Sequence, residues 1–76
     1  MRLSDLQNKD IVSVDDGKKI GSIIDVVINE KGVLDSLIVE KSIFLISKFT
    51  SKNEIQIKWD QIKKIGEDVI LVTLSF

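Results

Sequence analysis

The sequence contains no cysteine, no histidine and no tyrosine. Without cysteine there are no disulfide staples and no thiolate ligands for zinc. Without histidine the usual general base near neutral pH is missing, along with any Ser-His-Asp relay. Glycine is scarce too: Gly17, Gly21, Gly32 and Gly66 stand alone and form no phosphate-cradling loop. No apolar run approaches the roughly 18–20 residues needed to span a bilayer as a helix. The opening, Met1-Arg2-Leu3-Ser4-Asp5, lacks the apolar stretch of a secretory signal. These absences point away from an enzyme, a zinc site and a membrane-spanning helix, and toward a cytoplasmic chain with no cofactor.

What is present is material for a core. In 76 residues, 43% are hydrophobic, weighted to Ile, Val and Leu. A chain this short forms one domain, taken here as 1–76, and stands on packing or self-association alone. The charges, 11 basic against 12 acidic, are dispersed, with Lys18-Lys19 and Lys63-Lys64 the only basic doublets. A nucleic-acid binder normally shows a basic stripe, so the charge pattern disfavours that partner.

Ser4-Asp5-Leu6-Gln7 has the form of a capping box, with Ser4 at the cap, and predicts one helical turn anchored inward by Leu3 and Leu6. Asp10 to Val14 reads as a short strand, closed by Asp15-Asp16-Gly17-Lys18, a tight hairpin turn with Gly17 at its positive-φ position. Ile20 to Ile28 is apolar on nearly both faces: Ile20, Ile24, Val26 and Ile28 on one, Ile23 and Val27 on the other. Gly21 within it suggests a bulge or corner. Glu30-Lys31-Gly32 turns the chain into a third strand, Val33 to Glu40. Residues 54 to 59 alternate, with Ile55, Ile57 and Trp59 inward. Ile62 and Ile65 continue the core, Gly66-Glu67-Asp68 turns again, and Val69 to Leu74 closes as an apolar strand. The expectation is all-β: a small six-stranded barrel with at most one short helical turn, because closure protects edges that a tiny open sheet leaves bare.

Residues 42 to 53 do not fit this scheme. They carry two of the three phenylalanines and no glycine, whereas surface loops are usually polar and rich in turn formers. Three readings stand open: an extension of the third strand, a disordered loop, or an apolar flap covered by a partner or a second copy. On the third, Ile43, Phe44, Leu45, Ile46 and Phe49 are the candidate interface.

The carboxylates offer little chemistry. Asp15-Asp16 precede a hairpin glycine, where Asp serves turn geometry. Asp25 interrupts an apolar strand but has no visible partner carboxylate for acid–base work, which leaves backbone capping, a lysine partner or solvent. Trp59 reads as a plug of the core or rim. Lys58, Lys63 and Lys64 lie near it, yet Asp60, Glu67 and Asp68 offset them, and base stacking would need neighbouring aromatics. Gly17, Gly21, Asp25, Gly32, Trp59, Ile62, Ile65 and Gly66 are therefore assigned to the core and its turns.

Four stretches carry a resemblance: Met1-Arg2-Leu3-Ser4-Asp5-Leu6; Asp16-Gly17-Lys18-Lys19-Ile20-Gly21; Gly32-Val33-Leu34-Asp35-Ser36-Leu37-Ile38-Val39; and Trp59-Asp60-Gln61-Ile62-Lys63-Lys64-Ile65-Gly66-Glu67-Asp68-Val69-Ile70-Leu71-Val72. With them the sequence resembles the PRC-barrel family, in particular its short stand-alone, sporulation-associated YlmC/YmxH-type group. The last stretch, similar to that group's W-x-x-I-x-K-I-G-x-D-V-I-L-V ending, is the most specific. Two departures are visible: no glycine in 42 to 53, and Lys58 where the group often has proline before the tryptophan. The resemblance implies a six-stranded barrel used as a protein-docking module, linked to sporulation and without catalytic residues. In larger relatives the fold helps a ribosome-maturation factor bind a ribosomal protein, and forms the cytoplasmic part of a reaction-centre subunit.

The expected function is thus a non-catalytic protein-interaction module whose partner is another protein or a second copy. The alternative is an RNA- or ribosome-associated accessory domain, recognisable by steeply salt-dependent binding. Binding of a small molecule inside the barrel has least support, since barrels this small are filled by their own side chains.

Overall fold

The structure is a computed structural model and describes residues 1–41 and 54–74. A short helix, α1 (Leu3–Gln7), leads into β1 (Asp10–Ser13), β2 (Lys19–Ile28), β3 (Leu34–Lys41) and β4 (Glu54–Lys58). A 3-10 turn (Trp59–Gln61) then connects to β5 (Ile62–Ile65) and β6 (Val69–Val72). The strands form one curled six-stranded sheet in the order β4-β3-β2-β1-β6-β5. All pairings are antiparallel except β1 with β6, which run parallel from Asp10↔Val69 to Ser13↔Val72. The fold is the small all-β barrel type that the pattern of short strands predicts, with the outer strands β4 and β5 joined by the 3-10 turn.

The first hairpin closes as its Asp-Gly sequence requires. Gly17 takes φ +71°, its amide donates to the Ser13 carbonyl (2.8 Å) and the Ser13 amide to the Lys18 carbonyl (2.9 Å). The Asp16 carboxylate accepts from the Lys18 amide at 3.0 Å. The second turn begins one residue earlier than Glu30. Asn29 accepts from the Lys31 and Val33 amides through its side-chain oxygen, at 2.9 and 3.1 Å, and its carbonyl receives the Gly32 amide (2.9 Å). An Asx side chain that mimics a backbone turn explains why the chain reverses here. At the third turn the Gly66 amide donates to the Val69 carbonyl (2.7 Å), and the Asp10 amide to the Asp68 carbonyl (3.0 Å), which sets β6 alongside β1.

β2 departs from simple alternation. Its register slips against β1, where Ile11 pairs with Gly21 but Val12 with Lys19. It slips again against β3, where Ile23 pairs with Val39 but Asp25 with Ile38. Each slip leaves one extra residue on β2, and a bulge turns the following side chains to the opposite face. Ile20, Ile24, Val26 and Ile28 therefore do not share a face as alternation predicts. Ile20 and Ile23 are buried, Ile24 is exposed, and Val26 packs against the core. Asp25 lies at the second bulge with its carboxylate accepting from the Val26 amide (2.8 Å).

The core draws on every strand but β5 for fully buried residues: Ile11, Ile20, Leu37, Val39, Ile57, Ile70 and Val72, with Ile23 and the helix residue Leu6 nearly so. Ile62 and Ile65 of β5 are half-buried against it. Among the described residues, no buried side-chain nitrogen or oxygen lacks a hydrogen-bond partner. The exposed Lys19–Asp10 ion pair (3.2 Å) contributes little, as surface pairs generally do.

Gly21 faces the backbone of β3, and a methyl group there would overlap the Glu40 carbonyl oxygen. Gly17 has open space around it and is constrained only by its positive φ. Gly21→Ala is expected to cost about 3 kcal/mol or more, at or beyond the upper end for overpacking against a group that cannot yield. Gly17→Ala should cost about 1 kcal/mol, the usual penalty for a left-handed alanine. Urea unfolding midpoints of the two variants check the order; equal losses would contradict the close β2–β3 approach.

Candidate functional site

The helix starts two residues before the position that a Ser4 cap predicts. The Arg2 amide donates to the Asp5 carboxylate (2.8 Å), and the Asp5 amide returns to the Arg2 carbonyl (3.0 Å). A charged carboxylate is a stronger acceptor for an N-terminal amide than the Gln7 carboxamide, so Asp5 sets the frame. In that frame Leu6 is driven into the core while Leu3 is left 45% exposed. Leu3 is thus a surface residue and not a second inward anchor.

At the same end of the barrel, Trp59 leaves the β4 alternation by opening the 3-10 turn. Ile57 is fully buried, but Trp59 is 43% exposed. The turn itself is held firmly. The Gln61 side-chain oxygen accepts from the Lys58 amide (2.9 Å), and its amide nitrogen donates to the Thr73 carbonyl (2.9 Å). The Thr73 amide donates back to the Gln61 carbonyl (2.9 Å). The indole is thus presented to solvent by a turn pinned to the end of β6.

Between α1 and Trp59 runs an apolar groove of about 270 Å³. Met1, Leu3, Ile28 and Trp59 form its exposed walls; Leu6, Val26 and Leu34 lie beneath, and Arg2 stands at the rim. On the other flank of Trp59 and Leu34 the surface becomes polar, with Asn29, Asp35, Lys58 and Asp60. A groove with an exposed tryptophan, apolar walls and a polar border has the composition of a protein-docking patch: tryptophan is enriched among residues that dominate binding, and a polar rim surrounds them. Its residues carry no nucleophile–base pair.

The residues singled out in the sequence do not converge on one place. Gly17, Gly32 and Gly66 occupy three separate turns, Gly21 and Asp25 the bends of β2, and Ile62 and Ile65 the inner side of β5. Of the residues assigned to the core and its turns, only Trp59 belongs to the groove. Ile43, Phe44, Leu45, Ile46 and Phe49 lie outside the described residues. The groove residues Met1, Leu3 and Ile28 carry no sequence signal that separates them from core residues. Their exposure follows from the helix frame and the β2 bulges. Among the described residues there is no group of three or more Asp and Glu side chains able to hold a metal ion, and no helix is long and apolar enough to cross a membrane.

The sequence model of the PRC-barrel domain matches residues 1–75. The chain belongs to the PRC-barrel family. It is also similar to the "Probable sporulation protein YlmC" of Bacillus subtilis (strain 168), with 45% identity over 74 residues, covering 96% of this chain and 91% of that protein. The resemblance carried by the Trp59 to Val72 stretch therefore extends along the PRC-barrel as a whole. Within that frame, the strands supply the barrel, while α1 and the 3-10 turn supply the groove.

Trp59 is the only tryptophan and there is no tyrosine, so intrinsic fluorescence reports the groove alone. At low protein concentration Trp59 should emit at the long-wavelength side of the folded-protein range and be readily quenched by acrylamide. A blue-shifted, quencher-resistant signal in a demonstrably monomeric sample would contradict the exposed placement.

Proposed function

We propose that this PRC-barrel is a non-catalytic protein-interaction module, a single cytoplasmic domain that docks a protein partner in the groove beside Trp59. One observation carries the reading: Trp59 is 43% exposed on a turn that its own hydrogen bonds hold in place. A small domain gains by burying its one indole, and burial of a large aromatic contributes on the order of 1.5–3 kcal/mol. Leaving it out, beside exposed Met1, Leu3 and Ile28, is the arrangement of a surface completed by another molecule. The printed name of the Bacillus subtilis relative connects that protein with sporulation, and we extend that setting to this chain.

The groove suits a protein better than the alternatives. It is open to solvent, unlike the enclosed clefts that bury most of a small molecule's surface. A nucleic acid would bring phosphates to Trp59, where Asp35 and Asp60 oppose them and Lys58 is the single cation of that flank.

A photoreactive benzoylphenylalanine placed at Leu3 or at Ile28 tests the reading in living cells. On illumination each position should yield a discrete protein adduct, and Trp59→Asp should reduce it at least tenfold. The docking reading fails if neither position cross-links to protein, or if adducts form equally well without the tryptophan.

A further inference from the structure

We infer that the outer edge of β4, Glu54–Lys58, pairs with the same strand of a second copy of this chain, joining the two sheets about a two-fold axis through Gln56. This surface is distinct from the groove beside Trp59 and does not depend on it. Among the described residues β4 pairs with β3 alone and stands last in the sheet. The chain leaves it through the turn at Trp59–Gln61, and β5 lies at the opposite edge beside β6. An antiparallel strand turns alternate amides and carbonyls to its two sides, so β4 bonds to β3 with one set and offers the other outward.

The residues of this edge are complementary to themselves. β4 reads Glu54-Ile55-Gln56-Ile57-Lys58. A two-fold axis perpendicular to the sheet pairs the strands antiparallel and keeps inner face with inner face. Centred on Gln56, it sets Glu54 opposite Lys58 of the second copy, Ile55 opposite Ile57, and Gln56 opposite its own counterpart. The isoleucines then continue the core side, and the charges meet on the outer face, where Glu54, Gln56 and Lys58 are all exposed. Opposite charges directly across antiparallel strands favour pairing, and like charges oppose it. Within its own sheet Glu54 lies across from Glu40, which is exposed too, while Lys58 lies across from the neutral Ser36. Asp35 and Asp60 are near Lys58, but among the described residues neither forms an ion pair with it. The edge therefore has an acidic end and a basic end, and a second copy reversed upon it matches both. The other edge contrasts. A two-fold pairing centred on β5, Ile62-Lys63-Lys64-Ile65, sets Lys63 or Lys64 against its own counterpart, and lysines so placed guard an edge against pairing.

Charge reversal tests both the edge and its register. By light scattering over a concentration series, the wild type should form a dimer. Glu54→Lys sets lysine against lysine at both ends of the pairing, and Lys58→Glu sets glutamate against glutamate. Each variant alone should raise the dimer Kd at least about tenfold, and an equimolar mixture should recover a 1:1 heterodimer because every opposed pair is again of opposite sign. Glu54→Lys also takes a carboxylate from beside Glu40, so its monomer should unfold in urea no earlier than the wild-type monomer. A wild type that stays monomeric at every concentration overturns the inference, as do single variants that dimerise as well as the wild type, or a mixture that gains nothing. If circular dichroism shows that a reversed variant does not fold, cysteine pairing decides. The chain has no cysteine of its own. In a mixture of Glu54→Cys and Lys58→Cys the opposed Cα atoms would be about 4.5–5.5 Å apart, within disulfide reach. In either variant alone the two cysteines would be roughly 13 Å apart along the strands. A disulfide dimer from the mixture only supports the inference; no disulfide, or equal yield from the single variants, overturns it.

Discussion

The close approach of β2 to β3 at Gly21 is the constraint on which the rest of the barrel depends. A methyl at this position would meet the Glu40 carbonyl, so only glycine lets the two backbones come this near. β2 is the longest strand, and it pairs with β1 on one side and β3 on the other. Its bulges flank Gly21, one against each neighbour. A ten-residue strand with strict alternation would remain a flat ribbon. Relieved at two points and pressed in at Gly21, it turns the sheet around Ile11, Leu37, Ile57 and Ile70. The slip at Ile24, and a third between Val27 and Ile28 where Asp35 is the extra residue on β3, set Val26 and Ile28 beside Leu34, where they form part of the groove.

Legibility in the sequence follows the range of the interactions. The strands and turns were readable because their causes are local. Asp16-Gly17 makes a hairpin by itself, Ile55 and Ile57 alternate with Glu54, Gln56 and Lys58, and the Trp59 to Val72 stretch carries a family pattern. The groove was not readable, for three physical reasons. Asp5 outcompetes Ser4 and Gln7 for the start of α1, which moves Leu3 outward. The bulge at Ile24 reverses the facing of the residues after it, which alternation alone cannot register. The hydrogen bonds that Gln61 accepts from the Lys58 amide and donates to the Thr73 carbonyl end the β4 pattern one residue early, which turns Trp59 from the inward position that alternation predicts to an exposed one at the rim. Each of these depends on a partner beyond a simple alternating window.

Economy of composition gives the functional reading its force. A chain of 76 residues has few large apolar side chains to spare, and a small domain depends on burying most of them. This PRC-barrel fills its interior with Ile, Leu and Val and then leaves its tryptophan, a methionine and two further large aliphatics at one rim. The groove has neither a nucleophile–base pair nor a cluster of cationic side chains. What it has is area, shape and a polar border. These are the attributes of a surface that recognises another protein, and the connection of a close relative with sporulation is compatible with such a part.

The central claim is that the rim around Trp59 serves association and is not needed to hold the barrel together. Its most direct test is equilibrium unfolding of a triple variant, Leu3→Ser, Ile28→Ser and Trp59→Ser, followed by circular dichroism at a concentration where the wild type is monomeric. The account predicts a folded protein whose cooperative urea transition has lost no more than about 1.5 kcal/mol, within the roughly 0.5 kcal/mol each expected of surface changes. A loss of about 5 kcal/mol or more, as removal of three core side chains would cause, would return these residues to the core and contradict the account.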